Sequence, residues 1–93
     1  MSENSWESLK EKGNALFKEK RYKDAITFYQ KALKINPNIE VLYSNKGTCE
    51  KCLKDYKQAV RDYQKALDIN PNNTKNLTRL ASVYIIQGDI GQA

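Results

Sequence analysis

Two pairs of hydrogen-bond donors stand out in this chain of 93 residues. Lys10 and Asn14 are four residues apart, and Lys75 and Arg79 have the same spacing, so each pair would lie one turn apart on one face of a helix. Lysine and arginine donate as cations, whereas asparagine donates without adding charge. Such a set suits carboxylate oxygens. The alternative is that these are ordinary solvated surface residues.

Residue types that serve catalysis or metal binding are sparse. The chain has no histidine, the side chain that most often transfers protons near neutral pH. Its two cysteines form the stretch CEKC, Cys49 to Cys52, but a zinc site needs about four ligands. No strand pattern precedes the pair, as it would in a thioredoxin-like motif. We therefore predict packed cysteines in a reducing, cytoplasmic compartment, with no metal, no cofactor and no enzymatic activity.

Charge points to an acidic partner. The formal net charge is +5, from 16 basic and 11 acidic side chains. The lysines alternate with acids, as in KEKGNALFKEK, and do not form a basic run, so we do not expect nucleic acid as the partner. No apolar run approaches the ~18 residues of a membrane span. The polar stretch MSENSWESLK does not resemble a secretory signal.

The chain repeats itself with a period of 34 residues. The segment YKDAITFYQKALKINPN at 22–38 recurs as YKQAVRDYQKALDINPN at 56–72. Aligning residues 6–39 with residues 40–73 gives 15 identical positions out of 34. A period of this length is typical of helical repeat arrays, in which each unit stacks on the next.

Each repeat is predicted to contain two helices. In the second helix of each full repeat, four residues follow the i, i+4, i+7, i+8 spacing of one buried face: Ala25, Tyr29, Ala32 and Leu33, and again Ala59, Tyr63, Ala66 and Leu67. The stretch NPN at 36–38 ends the unit, because the residue before proline avoids the helical region. The fold class is therefore all-α. We predict one domain over 1–93, with repeats at 6–39, 40–73 and a truncated 74–93, and helices at about 5–19, 22–35, 39–53, 56–69 and 73–87.

This pattern resembles the tetratricopeptide repeat family over essentially the whole chain. Six repeat positions carry the resemblance. They are an apolar residue (Leu9/Tyr43/Leu77), a small residue (Gly13/Gly47/Ala81), an alanine (Ala25/Ala59), an aromatic residue (Tyr29/Tyr63), a second alanine (Ala32/Ala66) and a proline (Pro37/Pro71). Glu50 departs from the family, which usually has an aromatic or apolar residue there. The resemblance implies antiparallel helix pairs stacked in a right-handed superhelix. First helices would line a concave groove, and second helices would form the outer face.

The donor residues then fall on three successive first helices, because Asn45 lies 34 residues before Arg79. The set resembles the two-carboxylate clamp of co-chaperone tetratricopeptide repeat domains. Its patterns KxxGN, YSN and KxxxR occur here at Lys10, Asn14, Asn45, Lys75 and Arg79. The resemblance implies that the ligand is the C-terminal tail of the seventy- or ninety-kilodalton heat-shock chaperones, which ends Glu-Glu-Val-Asp. The last side chain and the free main-chain carboxylate would be the two anions held.

Two neighbouring residues are candidates for a side pocket. Phe17 and Thr48 lie one turn beyond the clamp asparagines and would receive an apolar side chain of the ligand. Phe17 alternatively packs against the next repeat. The stretch YSNKGTC departs from the commoner YSNRA of the subfamily, beside the clamp asparagine and not at it.

Other interpretations stay open. One alternative is a generic scaffold that binds another peptide or subunit and does not require a free C-terminus. Another is a repeat domain that targets an attached catalytic or membrane part of a longer protein. Because the third repeat is truncated, we expect Leu80, Tyr84 and Ile85 to be partly uncovered. The chain would then be a fragment of a longer co-chaperone, or it would self-associate through this face.

Overall fold

A computed structural model of the chain describes residues 5–91, with side chains described for residues 5–88. This part of the chain is helical apart from short turns, so the predicted all-α class is confirmed. The helices are α1 (Trp6–Lys18), α2 (Tyr22–Ile35), α3 (Glu40–Cys52), α4 (Tyr56–Ile69) and α5 (Thr74–Gly91). None of these five is long and apolar enough to cross a membrane.

The turns inside the first two repeats are set by Lys20 and Lys54. Their φ angles of 64° and 67° lie in the left-handed region, where a helix cannot continue. The amide of Arg21 donates to the carbonyl of Leu16 at 2.9 Å, one of the two bonds of a Schellman motif, and the equivalent bond closes α3 at 2.8 Å. The helices α1 and α3 therefore end at the same repeat position.

The fifth helix is longer than predicted. We predicted that it would end near residue 87, whereas α5 continues to Gly91. Gly88 holds the repeat position of the two turn lysines, but it has no positive φ and stays helical. In the first two repeats a second helix packs back on the first and holds the turn, and none follows α5 in residues 5–91. Ala93 lies outside the described residues.

Each helix packs on its neighbours in sequence, and the first helices α1, α3 and α5 also touch in that order. The predicted buried faces of the second helices are confirmed, except that Leu33 and Leu67 are half-buried. The other positions of these faces are at most 1% exposed: Ala25, Tyr29 and Ala32 in α2, and Ala59, Tyr63 and Ala66 in α4. Alanine and tyrosine thus alternate small and large side chains across the helix pairs, which is how packed layers interdigitate.

Glycines on the first helices let the two buried tyrosines approach closely. A Cβ on Gly13 would lie 2.7 Å from Cε1 of Tyr29, and a Cβ on Gly47 would lie 3.1 Å from Cε1 of Tyr63. These separations are shorter than ordinary carbon contacts, so the tyrosine rings occupy the space that a side chain would fill. The equivalent Ala81 is exposed, since no second helix faces α5 in the described residues.

The third repeat leaves apolar side chains uncovered. Tyr84 and Ile85 are 48% and 65% exposed, whereas Leu80 is half-buried against the cluster between α4 and α5. Leu77 is 48% exposed, although its equivalent Leu9 is buried. The expected exposure is therefore confirmed for Tyr84 and Ile85 and smaller for Leu80.

A buried charged cluster joins α3 to α4. The Lys46 ammonium donates to Oε2 of Glu50 at 2.9 Å and to Oδ2 of Asp62 at 2.8 Å. In the first repeat the positions of Glu50 and Asp62 are held by Leu16 and Phe28. The second repeat has therefore replaced an apolar pair with two carboxylates that share one lysine.

Burial governs the protonation of this cluster. Burial raises the pKa of the Glu50 carboxyl to about 8, and the adjacent Asp62 adds to the rise while Lys46 opposes it. Burial lowers the pKa of Lys46, but its bonds to both carboxylates outweigh that effect and the net shift is upward. Oε1 of Glu50 is buried with no hydrogen-bond partner among the described residues. A proton on Glu50 removes the excess negative charge, because one ammonium cannot neutralise two carboxylates.

We expect Gly13→Ala to lower the free energy of unfolding by ~1–3 kcal/mol, because the added methyl group overlaps the Tyr29 ring. The matched control is Gly88→Ala, whose Cβ meets nothing within 4 Å and which gains up to about 1 kcal/mol of helix propensity. Urea unfolding followed by circular dichroism measures both. Equal changes in stability for the two variants would contradict the close contact.

We expect Glu50→Gln to remove a pH dependence of stability. The pKa of Glu50 is about 8 in the folded protein and near 4.5 in the unfolded chain, so between these values the folded state binds the extra proton. The free energy of unfolding therefore falls as the pH rises through this range, by at most about 1.4 kcal/mol per unit. Glutamine cannot titrate and flattens this slope.

Urea unfolding at pH 5, 6, 7 and 8 measures the slope. The control is Glu11→Gln on the exposed side of α1, which should keep the slope of the parent protein. An unchanged slope in Glu50→Gln would show that the cluster stays fully ionised in the folded state.

Candidate functional site

A cavity of about 410 Å³ opens between the three first helices, and we call it the groove. Its lining residues are Asn14, Phe17 and Lys18 from α1, Tyr29 from α2, Asn45 and Thr48 from α3, and Arg79 from α5. Six of these seven residues belong to first helices. The structure therefore places the groove on the side that the sequence analysis expected.

An asparagine pair lies in this groove. Oδ1 of Asn14 accepts two hydrogen bonds, from the hydroxyl of Tyr29 at 2.5 Å and from Nδ2 of Asn45 at 3.1 Å. Burial raises the pKa of Tyr29 far above its ordinary value, so its hydroxyl remains a donor. Because these bonds fix both amide orientations, Nδ2 of Asn14 and Oδ1 of Asn45 are the atoms available to a ligand. The pair thus offers the two N–H donors of Asn14 and the acceptor oxygen of Asn45.

The candidate pocket residues lie beside this pair. The Thr48 hydroxyl donates to the carbonyl of Ser44 at 3.0 Å, so the Tyr63 hydroxyl at 2.7 Å is its donor. Thr48 holds the repeat position of Asn14, so each buried tyrosine bonds a groove residue of its own repeat. Phe17 lines the groove and also stands edge-on to Tyr22, with ring centroids 5.5 Å apart. Because Tyr22 belongs to the same repeat, this contact is not the alternative packing of Phe17 against the next repeat, and the pocket role of Phe17 stays a prediction.

Arg79 joins the groove to a second cavity of about 390 Å³, which Thr74, Lys75 and Thr78 also line. One guanidinium nitrogen, Nη1, donates to Oγ of Ser44 at 2.6 Å. Lys75 is exposed and does not line the groove itself. It faces the second cavity, one turn from Arg79 on α5.

Lys10 stands apart from the other clamp candidates. Its ammonium lies 5.7 Å from the centroid of the Trp6 ring, a cation–π distance, and it lines neither cavity. The structure thus brings Asn14, Asn45 and Arg79 together with the two pocket residues. Lys75 lies in the adjoining cavity, and Lys10 is held one turn away.

The electrostatics of the site favour an anion. Lys18 and Arg79 line the groove, Lys75 lines the second cavity, and neither cavity has an acidic side chain among its described lining residues. Lys51 donates to Oγ of Ser82 at 3.0 Å, so a further ammonium is held between α3 and α5. Cations without acidic neighbours attract carboxylates at close range.

The cysteines are not part of this site. Cys49 is buried and Cys52 is exposed, and neither forms a disulfide, so the prediction of packed cysteines is right for Cys49 and wrong for Cys52. Burial raises the pKa of the Cys49 thiol to about 12, which keeps it protonated and unreactive. The described residues contain no cluster of three or more metal-ligating side chains.

Three residues near the site were missed by the sequence analysis. Tyr29 was assigned only to the core, and Ser44 was noted only as part of the pattern YSN. Asn76 was not considered, although it holds the repeat position of Leu42 and is just as buried. A polar residue at a core position was the signal that could have found it, since buried polar groups need partners.

Fold and groove together define a helical repeat protein whose first helices line a groove that carries amide and cationic side chains. The tetratricopeptide repeat model matches residues 6–39 and 41–73, and a second tetratricopeptide repeat model matches residues 62–93. The chain belongs to the tetratricopeptide repeat family.

Among curated proteins, the chain is similar to sperm-associated antigen 1 of Rattus norvegicus, at 47% identity over 47 residues. It is also similar to Hsp70-Hsp90 organizing protein 3 of Arabidopsis thaliana, at 46% identity over 43 residues. These matches cover 50% and 46% of this chain. They cover 5% and 8% of the relatives, so only a small part of each is represented here.

Solved structures show the same fold. The OM64 tetratricopeptide repeat domain of Arabidopsis is 32% identical with a TM-score of 0.88, and the match covers 91% of this chain and 70% of that one. The first such domain of Spaghetti (RPAP3), bound to the HSP90 peptide SRMEEVD, is 28% identical with a TM-score of 0.87. That match covers 99% of this chain and 75% of the RPAP3 chain.

Proposed function

We propose that this chain is a peptide-binding module that holds the free C-terminus of an acidic tail ending Glu-Glu-Val-Asp. The tail would be that of a seventy- or ninety-kilodalton heat-shock chaperone, and the chain would serve as a cytoplasmic co-chaperone adaptor. The observation that carries the proposal is the asparagine pair beside Arg79, in a groove without acidic lining. The likeness to the RPAP3 domain bound to SRMEEVD supports it.

The terminal aspartate matches the donors of the groove. Nδ2 of Asn14 and the guanidinium of Arg79 would bind its carboxylate oxygens, because both groups donate at fixed positions. Oδ1 of Asn45 would accept a peptide N–H and so set the direction of the tail. Each charge-assisted bond contributes roughly 1.5–3 kcal/mol. After the cost of ordering a flexible tail, micromolar binding of about −8 kcal/mol follows.

The lysines extend the clamp from both sides. Lys75 would reach the second carboxylate from the adjoining cavity that it shares with Arg79. Lys10 would leave the Trp6 ring to join the clamp, since a carboxylate attracts an ammonium more strongly than the face of an aromatic ring does. Phe17 and Thr48 would contact the valine side chain of the tail.

A calorimetric titration tests the proposal. We expect the peptide SRMEEVD with a free C-terminus to bind with micromolar affinity that weakens as salt is raised, because exposed ion pairs are screened. The same peptide amidated at its C-terminus should lose binding, since one of the two carboxylates is gone. Equal binding of both peptides would contradict the clamp and favour a scaffold that does not read a free C-terminus.

Charge reversal in the groove supplies the residue-level control. Arg79→Glu should weaken binding of the free-acid peptide by at least about tenfold. Arg61→Glu makes the same change of charge on the exposed surface of α4, outside the groove, and should leave the affinity nearly unchanged. Unchanged helicity in both variants ensures that loss of binding is not loss of the fold.

A further inference from the structure

We propose that Glu40, Asn76 and Ser44 are positioning residues that hold the Arg79 guanidinium at the junction of the two cavities. Four side chains form a continuous line of hydrogen bonds, which we call the polar chain: Glu40, Asn76, Ser44 and Arg79. The geometry stands on its own, whereas its consequence for affinity rests on the proposed peptide-binding function.

The direction of every bond in the polar chain is fixed by its ends. Arg79 can only donate, and it donates to Oγ of Ser44 at 2.6 Å. The Ser44 hydroxyl in turn donates to Oδ1 of Asn76 at 2.6 Å, and Nδ2 of Asn76 donates to a carboxylate oxygen of Glu40 at 2.8 Å. The chain thus runs from a cation to an anion with all dipoles aligned, an arrangement in which each bond strengthens the next.

The interior of the polar chain is buried. Ser44 and Asn76 are 3% and 1% exposed, so water cannot replace their bonds. Asn76 holds the repeat position of the buried Leu42, so an apolar side chain could pack in the core at this position without any hydrogen bond. A buried amide without hydrogen-bond partners costs free energy. The bonds of Asn76 to Glu40 and Ser44 are therefore strongly favoured, and they fix the position of the Ser44 hydroxyl.

Glu40 anchors the far end of the polar chain outside the groove. It begins α3, and its carboxylate also accepts from the side chain of Asn73. Oδ1 of Asn73 accepts from the backbone amide of Asn76 at 3.2 Å and so caps the start of α5. The first turn of α5 is thereby fixed against α3, and Arg79 follows one turn later. Glu40 lines neither cavity and acts on the site only through its neighbours.

A pre-placed arginine binds anions better than a mobile one. Arginine has several rotatable bonds, and ordering such a side chain on binding costs affinity. One of its five donors is spent on Ser44, which leaves four for a ligand. Loss of the Ser44 contact should therefore weaken binding of the free-acid peptide by about 3- to 10-fold.

The first test uses the protein without peptide. The chain has three arginines, so the Nε resonance of Arg79 can be assigned by substitution and its heteronuclear NOE compared with that of the exposed Arg61. We expect Arg79 to be nearly as rigid as the backbone and to become as mobile as Arg61 in Ser44→Ala. An Arg79 that is already as mobile as Arg61, or that is unchanged by Ser44→Ala, would overturn the inference.

Glu40 gives an independent variant if Ser44→Ala does not fold. Glu40→Ala removes the anchor and should raise the mobility of Arg79, whereas Glu40→Gln keeps an acceptor oxygen and should preserve its rigidity. Equal mobility of Arg79 in these two variants would overturn the inference.

The second test is a double-mutant cycle on binding of SRMEEVD. Ser44→Ala should weaken binding by about 3- to 10-fold in the parent and in Lys75→Ala, but should have no further effect in Arg79→Ala. An equal loss in the Arg79→Ala background would show that Ser44 acts otherwise and overturn the inference. If the parent protein does not bind the peptide at all, the proposed function fails, and the NOE comparison still decides whether the polar chain holds Arg79.

Discussion

The close approach of a tyrosine ring to a helix backbone is the contact on which the rest of this structure depends. Tyr29 lies against Gly13 at a distance that leaves no room for a Cβ, and Tyr63 lies against Gly47 at a distance that would be tight for one. Because the rings cross the interface between the two helices of a repeat, their hydroxyls emerge on the groove side. There they bond Asn14 and Thr48. One packing feature therefore stabilises each of the first two repeats and orients a groove residue in each.

Repetition and departure from repetition have different consequences in this chain. The conserved period between the first two repeats sets the helix pairs, the turns at Lys20 and Lys54, and the stacking of the first helices along one side. The departures are polar residues at positions that are apolar in another repeat. Glu50 replaces Leu16 in the charged cluster, and Asn76 replaces Leu42 in the polar chain. The charged cluster and the polar chain therefore come from these two departures from the repeat.

Much of the fold could be predicted from the sequence, because helix periodicity and the prolines of the repeat are local features. The first four helices lie within one residue of their predicted bounds. The end of α5 was wrong because the turn after a first helix depends on the second helix that packs against it, and a glycine at the turn position does not break a helix by itself.

The candidate site could be predicted only in part. Spacing placed Asn14, Asn45 and Arg79 on neighbouring helices, and the structure gathers them into one cavity. Spacing could not reveal that the Trp6 ring holds Lys10, since that contact depends on side-chain conformation. It also could not show which atoms of an asparagine remain available once its hydrogen bonds inside the protein are made.

Side-chain amide NMR shows whether the groove between the three first helices binds a free carboxylate terminus. On addition of SRMEEVD, we expect the Nδ2 resonances of Asn14 and Asn45 to shift along one saturation curve, while those of the exposed Asn38 and Asn72 stay in place. Shifts centred on the exposed face of α5 at Tyr84 and Ile85, with Asn14 and Asn45 unmoved, would contradict binding in the groove.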